Sequence, residues 1–285
     1  MTSSLGDLTV SRMGFGAMQL PGPGVMGPPR DREQALAVLR RAVELGVDHI
    51  DTAQYYGPDV SNALIREALH PYPAGLVLVS KVGARRDEQG GWLPHDRPEQ
   101  LREGIEANLD SLGVDRLGAV NLRLLDPGHG SGVPFDEQLD AMVQAREDGL
   151  IAGVGLSNVD ADQLRHALTR TPVVCVQNPY NLVDRTAQPV LDLCEQEGIA
   201  FVPFFPLGSG FPGMPPVLDA PAVRSVAARR GATPAQVALA WLLAVSERTL
   251  LIPGTSSVAH LEQNLEAATL ELSSEDLAEI EGARA

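Results

Sequence analysis

Lysine is almost missing from this sequence: one residue, Lys81, stands among 22 basic side chains, and all the others are arginine. A chain that fills its cationic positions with arginine gives no compositional reason for a lone lysine at the end of the apolar run 76–80. The amine changes its protonation readily when buried and the guanidinium does not, so the exception points to a position where that property is used. An ion pair with the nearby Asp51 is the competing explanation. Cysteine is scarce as well. Cys175 and Cys194 lie in apolar segments without CxxC or metal-ligand spacing, which argues against a disulfide framework or a metal site and leaves two reduced core thiols as the expectation. The formal net charge is −15 and the arginines are scattered, which argues against nucleic acid or an anionic membrane as partner. Any anionic ligand must then be held locally, by helix N-termini, backbone amides and a few placed side chains. Long apolar runs are absent, and the first 13 residues do not combine a cationic segment with an apolar one. The expected setting is the cytoplasm, the expected partner a small molecule, and the expected assembly a monomer or weak homo-oligomer.

What is present is ordinary for a folded globular chain, with 44% hydrophobic and 21% charged residues. A length of 285 residues suits one (β/α)8 barrel, which typically needs about 250, better than two small domains. Short apolar runs near 14–18, 47–52, 76–82, 117–123, 151–157, 173–177, 200–205 and 250–253 read as strands, and helical patterns fall between them. Asp31 with Gln34, and Asp160 with Gln163, have capping-box spacing, while Thr233-Pro234 reads as an N-cap followed by the first helical residue. Helices are expected near 61–69, 98–112, 135–147 and 190–196, with two more, 258–268 and 274–281, closing the chain. The fold expected over residues 1–285 is a single α/β domain, a (β/α)8 TIM barrel with an N-terminal β-hairpin cap and extra C-terminal helices. A doubly wound sheet is the rival, but the GxGxxG fingerprint is missing, since Gly14 and Gly16 have no glycine partner at Gln19.

In a barrel of this kind, polar residues at the C-terminal ends of strands converge on one face. Asp51, Lys81, Arg123, Asn158, Gln177 and Phe204 all fall at expected strand ends. Tyr56 follows Asp51 by five residues in the segment Asp51-Thr52-Ala53-Gln54-Tyr55-Tyr56-Gly57. If these groups meet, Asp51 holds the Lys81 ammonium, and that ammonium draws the Tyr56 phenol below its ordinary value of about 10, making it a usable proton donor to a carbonyl. Packing of Tyr56 on the strand rim is the alternative.

The motifs Gly14-Phe15-Gly16-Ala17-Met18, Asp51-Thr52-Ala53-x-x-Tyr56-Gly57, Ser80-Lys81-Val82-Gly83, Gly155-Leu156-Ser157-Asn158, Val176-Gln177-Asn178-x-Tyr180-Asn181 and Ile252-Pro253-Gly254 occur in this order along nearly the whole chain. Together they resemble the aldo-keto reductases. The resemblance implies that Asp51, Tyr56 and Lys81 are three members of a catalytic tetrad with Tyr56 as the proton donor, and that NADPH is the hydride source. It also implies that Ser157, Asn158 and Gln177 bind the nicotinamide carboxamide and that Phe204 stacks on the ring. Gly16, Ala17, Met18, Pro206, Leu207, Gly208, Gly254, Thr255, Ser256, His260, Gln263 and Asn264 complete the implied cofactor site. Where NADPH-preferring relatives often carry Lys or Arg after the last strand, this chain has Gly254-Thr255-Ser256 and His260. A helix N-terminus near Ser257 is then expected to take the 2′-phosphate, and NADH is the alternative cofactor.

The fourth tetrad member, usually His, lies eight residues beyond the Asp of Leu112-Gly113-Val114-Asp115, and here that position is Arg123. An arginine donates hydrogen bonds to a carbonyl oxygen but does not relay a proton as histidine does. Asn121 shares its side of the strand by alternation and is expected either in the substrate pocket or in barrel-interior packing. Val120-Asn121-Leu122-Arg123, with the stretches 22–32, 201–208 and 252–261, resembles bacterial pyridoxal reductases within the same superfamily, implying NADPH-dependent reduction of pyridoxal to pyridoxine. Substrate choice is expected in the loops 21–29, 84–98 and 124–134, with Trp92 as a wall for a flat ring, or as a surface cover. Arg85 and Arg86 are expected to be solvated, with contact to an anionic substrate as the alternative. Residues 208–221 are expected to cross the pyrophosphate as a mobile belt, or to be an inert connector. Two other functions compete: a non-enzymatic NADPH-binding redox sensor, and an aldolase that forms a Schiff base on Lys81.

Overall fold

The computed structural model describes residues 1–125, 130–208 and 217–282. The expected loop 124–134 and belt 208–221 therefore lie partly outside the described residues.

The chain opens with an antiparallel hairpin, β1 (Thr2–Leu5) and β2 (Leu8–Ser11), and then enters the barrel at β3 (Phe15–Gly16). Helix α1 (Arg32–Glu44) follows, then β4 (His49–Asp51), α2 (Val60–Leu69) and β5 (Val77–Arg86). Strand β6 (Trp92–His95) folds back on β5, and α3 (Pro98–Leu112), β7 (Ala119–Arg123), α4 (Phe135–Glu147), β8 (Val154–Ser157), α5 (Ala161–Leu168) and β9 (Val173–Gln177) continue the alternation. Helix α6 (Gln188–Glu197) and β10 (Ala200–Phe201) precede α7 (Pro221–Arg230), α8 (Pro234–Val245), α9 (Val258–Glu266) and α10 (Ser274–Gly282).

The strands β3, β4, β5, β7, β8, β9 and β10 pair in parallel in that order. Residues 249–251 close the ring, with Thr249 bridging Phe201 and Leu251 bridging Met13, so the fold is a (β/α)8 barrel with an N-terminal hairpin. Alternation along each strand divides the core in two. One side chain set, including Phe15, Ile50, Leu78, Val120, Leu122 and Val176, packs outward under the helices. The other, Val79, Ala119, Cys175, Ala200, Val202 and Leu250, fills the lumen, and Leu5 and Val10 of the hairpin plug its lower end. Burial pushes the Cys194 thiol up to about 12 and Cys175 higher still, and both are free thiols.

The three caps expected from the sequence form. Asp160 with Gln163 and Thr233 with Gln236 form reciprocal capping boxes, whereas Asp31 accepts from Gln34 N without the return bond. Two elements depart from expectation. The segment 84–98 is no open loop: β5 runs on to Arg86 and pairs with β6, so Trp92 sits on a hairpin. Helix α7 was not expected at all; it buries the small residues Ala222, Val223, Val226 and Ala227. No helix of the described residues is long and apolar enough to cross a membrane.

Candidate active site

The C-terminal rim of the barrel gathers the expected polar residues because parallel register sets their heights. Gly16 lies beside Asp51, Lys81 beside Asn121, and Arg123, Ser157 and Gln177 stand in one row across β7, β8 and β9. Beyond β4 the chain turns sharply, with Tyr56 N bonded to Ala53 O, and Gly57 adopts φ +96° in a place where a Cβ would meet Val60 Cβ at 2.4 Å. Only glycine fits both demands. The backbone of Gly57 also exchanges bonds with Val25 and Gly27, which ties the loop 21–29 to the segment carrying Tyr56.

At the base of the site, Lys81 Nζ donates to the Asp51 carboxylate and, at 3.0 Å, to Thr52 O. Gln177 Nε2 donates to the other Asp51 oxygen at 2.6 Å, so both oxygens are engaged. Asp51 and Lys81 are buried, and a buried pair whose carboxylate oxygens are both engaged and whose ammonium also donates to a backbone carbonyl holds a fixed geometry. The Lys81 ammonium stands 5.1 Å from the centroid of the Tyr56 ring. Here the expected downward pull on Tyr56 is overturned. Burial pushes the phenol well above its ordinary range, the Asp51 charge adds to the rise, and Arg123 opposes both only in part. The largest cause is desolvation, which penalises the charged phenolate. Tyr56 is therefore a neutral phenol across the physiological range.

Above this base lies a cavity of about 460 Å³. Asp51, Tyr56, Lys81, Arg123, Gln177, Gly16, Met18, Phe204, Pro206, Leu207, Gly208, Gly254 and Trp92 all line it. Ala17, Ser157, Asn158 and Asn121 do not appear in its wall. Asn121 is fully buried lower in the lumen, where its amide donates to Ser80 O and accepts from Cys175 Sγ, each at 3.4 Å. Phe204 lies beyond the end of β10, held by a bridge to Pro179. Trp92 is 48% exposed, yet its ring meets Tyr55 edge-on at 5.2 Å and lies under two guanidiniums, Arg86 at 4.3 Å and Arg123 at 5.7 Å.

Sequence reasoning missed Tyr55, and it favoured solvent over the site for Arg86. Strict alternation from Lys81 places Arg85 on the inner side, but Gly83 at φ +107° interrupts the extended backbone, and Arg86 faces the cavity while Arg85 is exposed. A side chain at Gly83 would meet Arg123 O at 2.4 Å. The burial of Tyr55 and the positive φ of Gly83 were the only available signals, and neither is visible without coordinates.

A second hollow of about 420 Å³ adjoins the first, sharing Leu207 and Gly254, and is lined by Thr255, His260, Gln263 and Asn264 together with Thr233 and Arg224. Ser256 lines a third hollow beside the loop 21–29. Arg224, on the unexpected helix α7, pairs with Asp219. Among the buried polar atoms that lack a hydrogen-bond partner at the rim are Ser157 Oγ and Gln177 Oε1, on directly paired residues. Buried polar groups without partners are rare in folded proteins, and this pair suits a ligand that both donates and accepts, such as a carboxamide. Asn158, next in sequence, holds φ +61° with its Nδ2 on Leu124 O at 3.0 Å.

Residues 12–285 match the Aldo/keto reductase family. The pyridoxine 4-dehydrogenase of Escherichia coli is 49% identical over 283 residues, covering 99% of this chain and 97% of that enzyme. Among solved structures, the thermostable aldo-keto reductase Tm1743 superposes with a TM-score of 0.84 at 29% identity, covering 99% of each chain. An aldo-keto reductase from Klebsiella pneumoniae, solved in complex with NADPH, does so with a TM-score of 0.80 at 26% identity, covering 99% of this chain and 95% of that one.

Proposed function

The chain belongs to the aldo/keto reductase family and is an oxidoreductase, and on that premise we propose that it reduces a small aldehyde with NADPH, pyridoxal being converted to pyridoxine. The observation that carries this reading is the meeting of a neutral Tyr56 phenol with the buried Lys81–Asp51 pair in one cavity at the C-terminal rim of the barrel. The likeness to a pyridoxine 4-dehydrogenase supports the substrate.

Phe204 and the unpartnered polar atoms of Ser157 and Gln177 would hold the nicotinamide of NADPH, and Thr255, His260, Gln263, Asn264 and Arg224 of the second hollow would hold its phosphate end. Bound there, it supplies a hydride to the carbonyl carbon. Tyr56 supplies the proton. A phenol held neutral by burial keeps its proton until an oxygen more basic than a carbonyl develops beside it, which happens as the carbonyl becomes an alkoxide. Arg123 donates to the same oxygen and stabilises the charge that builds there. Lys81 and Asp51 fix the floor on which Tyr56 rests. Lys81 Nζ is committed to Asp51 and Thr52 O, so its use as a Schiff-base nucleophile would require breaking both bonds.

The experiment is steady-state oxidation of NADPH by pyridoxal, with pyridoxine identified as the product. Many turnovers per protein molecule are expected. Tight nucleotide binding with no turnover on any aldehyde would identify a sensor and contradict the proposal.

A further inference from the structure

Resting on the carbonyl-reductase reading above, we propose that the substrate carries an anionic oxygen in addition to its carbonyl, and that Arg123 and Arg86 hold that oxygen beside the Trp92 ring. Among the described residues the Arg123 guanidinium makes no hydrogen bond and no ion pair, and its Nε is buried without a partner. The Nε of Arg86 is likewise buried and unpartnered, although its Nη2 donates to Gly24 O at 2.9 Å. Both guanidiniums lie against one indole ring, and Arg123 also lies 5.8 Å from the Phe204 ring.

The donors exceed what the carbonyl can accept. A carbonyl oxygen has two lone pairs, and Tyr56 takes one of them. Arg123 alone brings five N–H donors, and Arg86 adds more. The charges do not balance either. Among the described residues Asp51 is the only acid in the cavity wall, and Lys81 and Gln177 occupy both its oxygens. The wall therefore keeps two surplus cations in a chain whose net charge is −15. Burial draws the Arg86 guanidinium below the usual arginine range, an opposing cost that a ligand anion would relieve.

The phosphates of the nucleotide do not answer this need. In the ring order of the barrel, β5 stands across from β10, and β7 stands across from the closing segment 249–251. The second hollow opens beyond β10 and the closing segment, at Leu207 and Gly254. Arg86 and Arg123 thus sit across the barrel from the path to that hollow, on the side of the hairpin formed by β5 and β6. Planar guanidiniums stacked on an aromatic suit a flat ring bearing a carboxylate, an ionised hydroxyl or a phosphate monoester. Pyridoxal, with an acidic ring hydroxyl beside its aldehyde, belongs to this class.

The test compares matched aldehydes at saturating NADPH: para-carboxybenzaldehyde against its methyl ester, salicylaldehyde against its methyl ether, and para-formylphenyl phosphate against its dimethyl ester. We expect the KM of at least one anionic member to fall roughly tenfold or more below that of its neutral partner, the size of a charge-assisted hydrogen bond, with kcat changing less. The preferred pair identifies which anion the site takes. The preference should shrink as salt is added, narrow in Arg86→Met and Arg123→Met, and be partly restored in Arg123→Lys. Equal use of charged and neutral partners by the wild-type enzyme would overturn the inference alone, as would a preference that survives both methionine substitutions. Failure to reduce any aldehyde, charged or neutral, would instead overturn the reductase reading on which it rests.

Discussion

Arg12 and Arg123 occupy opposite ends of the same barrel, and their surroundings differ in how fully their donors are used. Arg12 precedes the first barrel strand, is 7% exposed, and donates to the carbonyls of Leu243, Ser246 and Thr249. Its own carbonyl accepts from Leu251 N, so backbone and side chain together fasten the closing segment to the start of the barrel. Burial lowers its guanidinium from the usual arginine range, and Glu247 opposes that shift. Arg123 ends β7 with an orphaned Nε, two aromatic neighbours and a cavity in front of it. A cation saturated by backbone carbonyls is a clamp. A cation with open donors over a cavity is part of a binding site.

Substitution at the two ends should break this comparison or hold it. Arg12→Met takes its side-chain donors from Leu243 O, Thr249 O and Ser246 O, of which Ser246 O keeps Thr249 N, and the expected cost is on the order of 3 kcal/mol, read from the denaturant midpoint. Arg123→Met should leave that midpoint close to wild type and lower kcat/KM for the aldehyde by roughly tenfold to a hundredfold. Equal destabilisation by both changes would remove the distinction.

The next effect in size concerns pH. The Tyr56 pKa is raised in the folded protein, so the neutral phenol persists at and above the ordinary tyrosine value of about 10. The rate of aldehyde reduction should therefore show no loss of its proton donor between neutrality and about pH 10. The linkage has a matching sign: the stability contributed by Tyr56 is complete below the ordinary phenol value and disappears as the pH rises through the folded one. A wild-type kcat profile that falls near neutrality, with the fall absent in Tyr56→Phe, would show that bound substrate and nucleotide reverse the effect of burial.

The smallest effect lies farthest from the chemistry. Arg224→Ala should raise the KM for NADPH by roughly tenfold and leave that for NADH nearly unchanged, because only the former carries a 2′-phosphate. Equal changes for both nucleotides would place Arg224 outside phosphate recognition.

The rim was legible in the sequence because two rules act together. Parallel βα alternation puts polar residues at the C-terminal ends of strands on one face, and the structure brings Asp51, Tyr56, Lys81, Arg123, Gln177 and Phe204 to one cavity. Caps such as Asp160 with Gln163 were legible because their bonds are local. What escaped depended on longer-range geometry. Helix α7 buries small residues of weak amphipathic contrast and begins at Pro221, after a stretch dense in glycine and proline. Arg86 reaches the cavity only because the backbone turns at Gly83 and pairs with β6. The direction of the Tyr56 shift could not follow from naming its neighbours, since burial, with the Asp51 charge beside it, decides it.

The most direct measurement is the kcat of Tyr56→Phe for NADPH-dependent pyridoxal reduction, taken with the NADPH dissociation constant of the same protein. If Tyr56 delivers the proton, kcat falls by roughly a hundredfold to ten-thousandfold while nucleotide binding stays at the wild-type value. A kcat within about twofold of wild type, with binding intact, would show that the proton comes from another group.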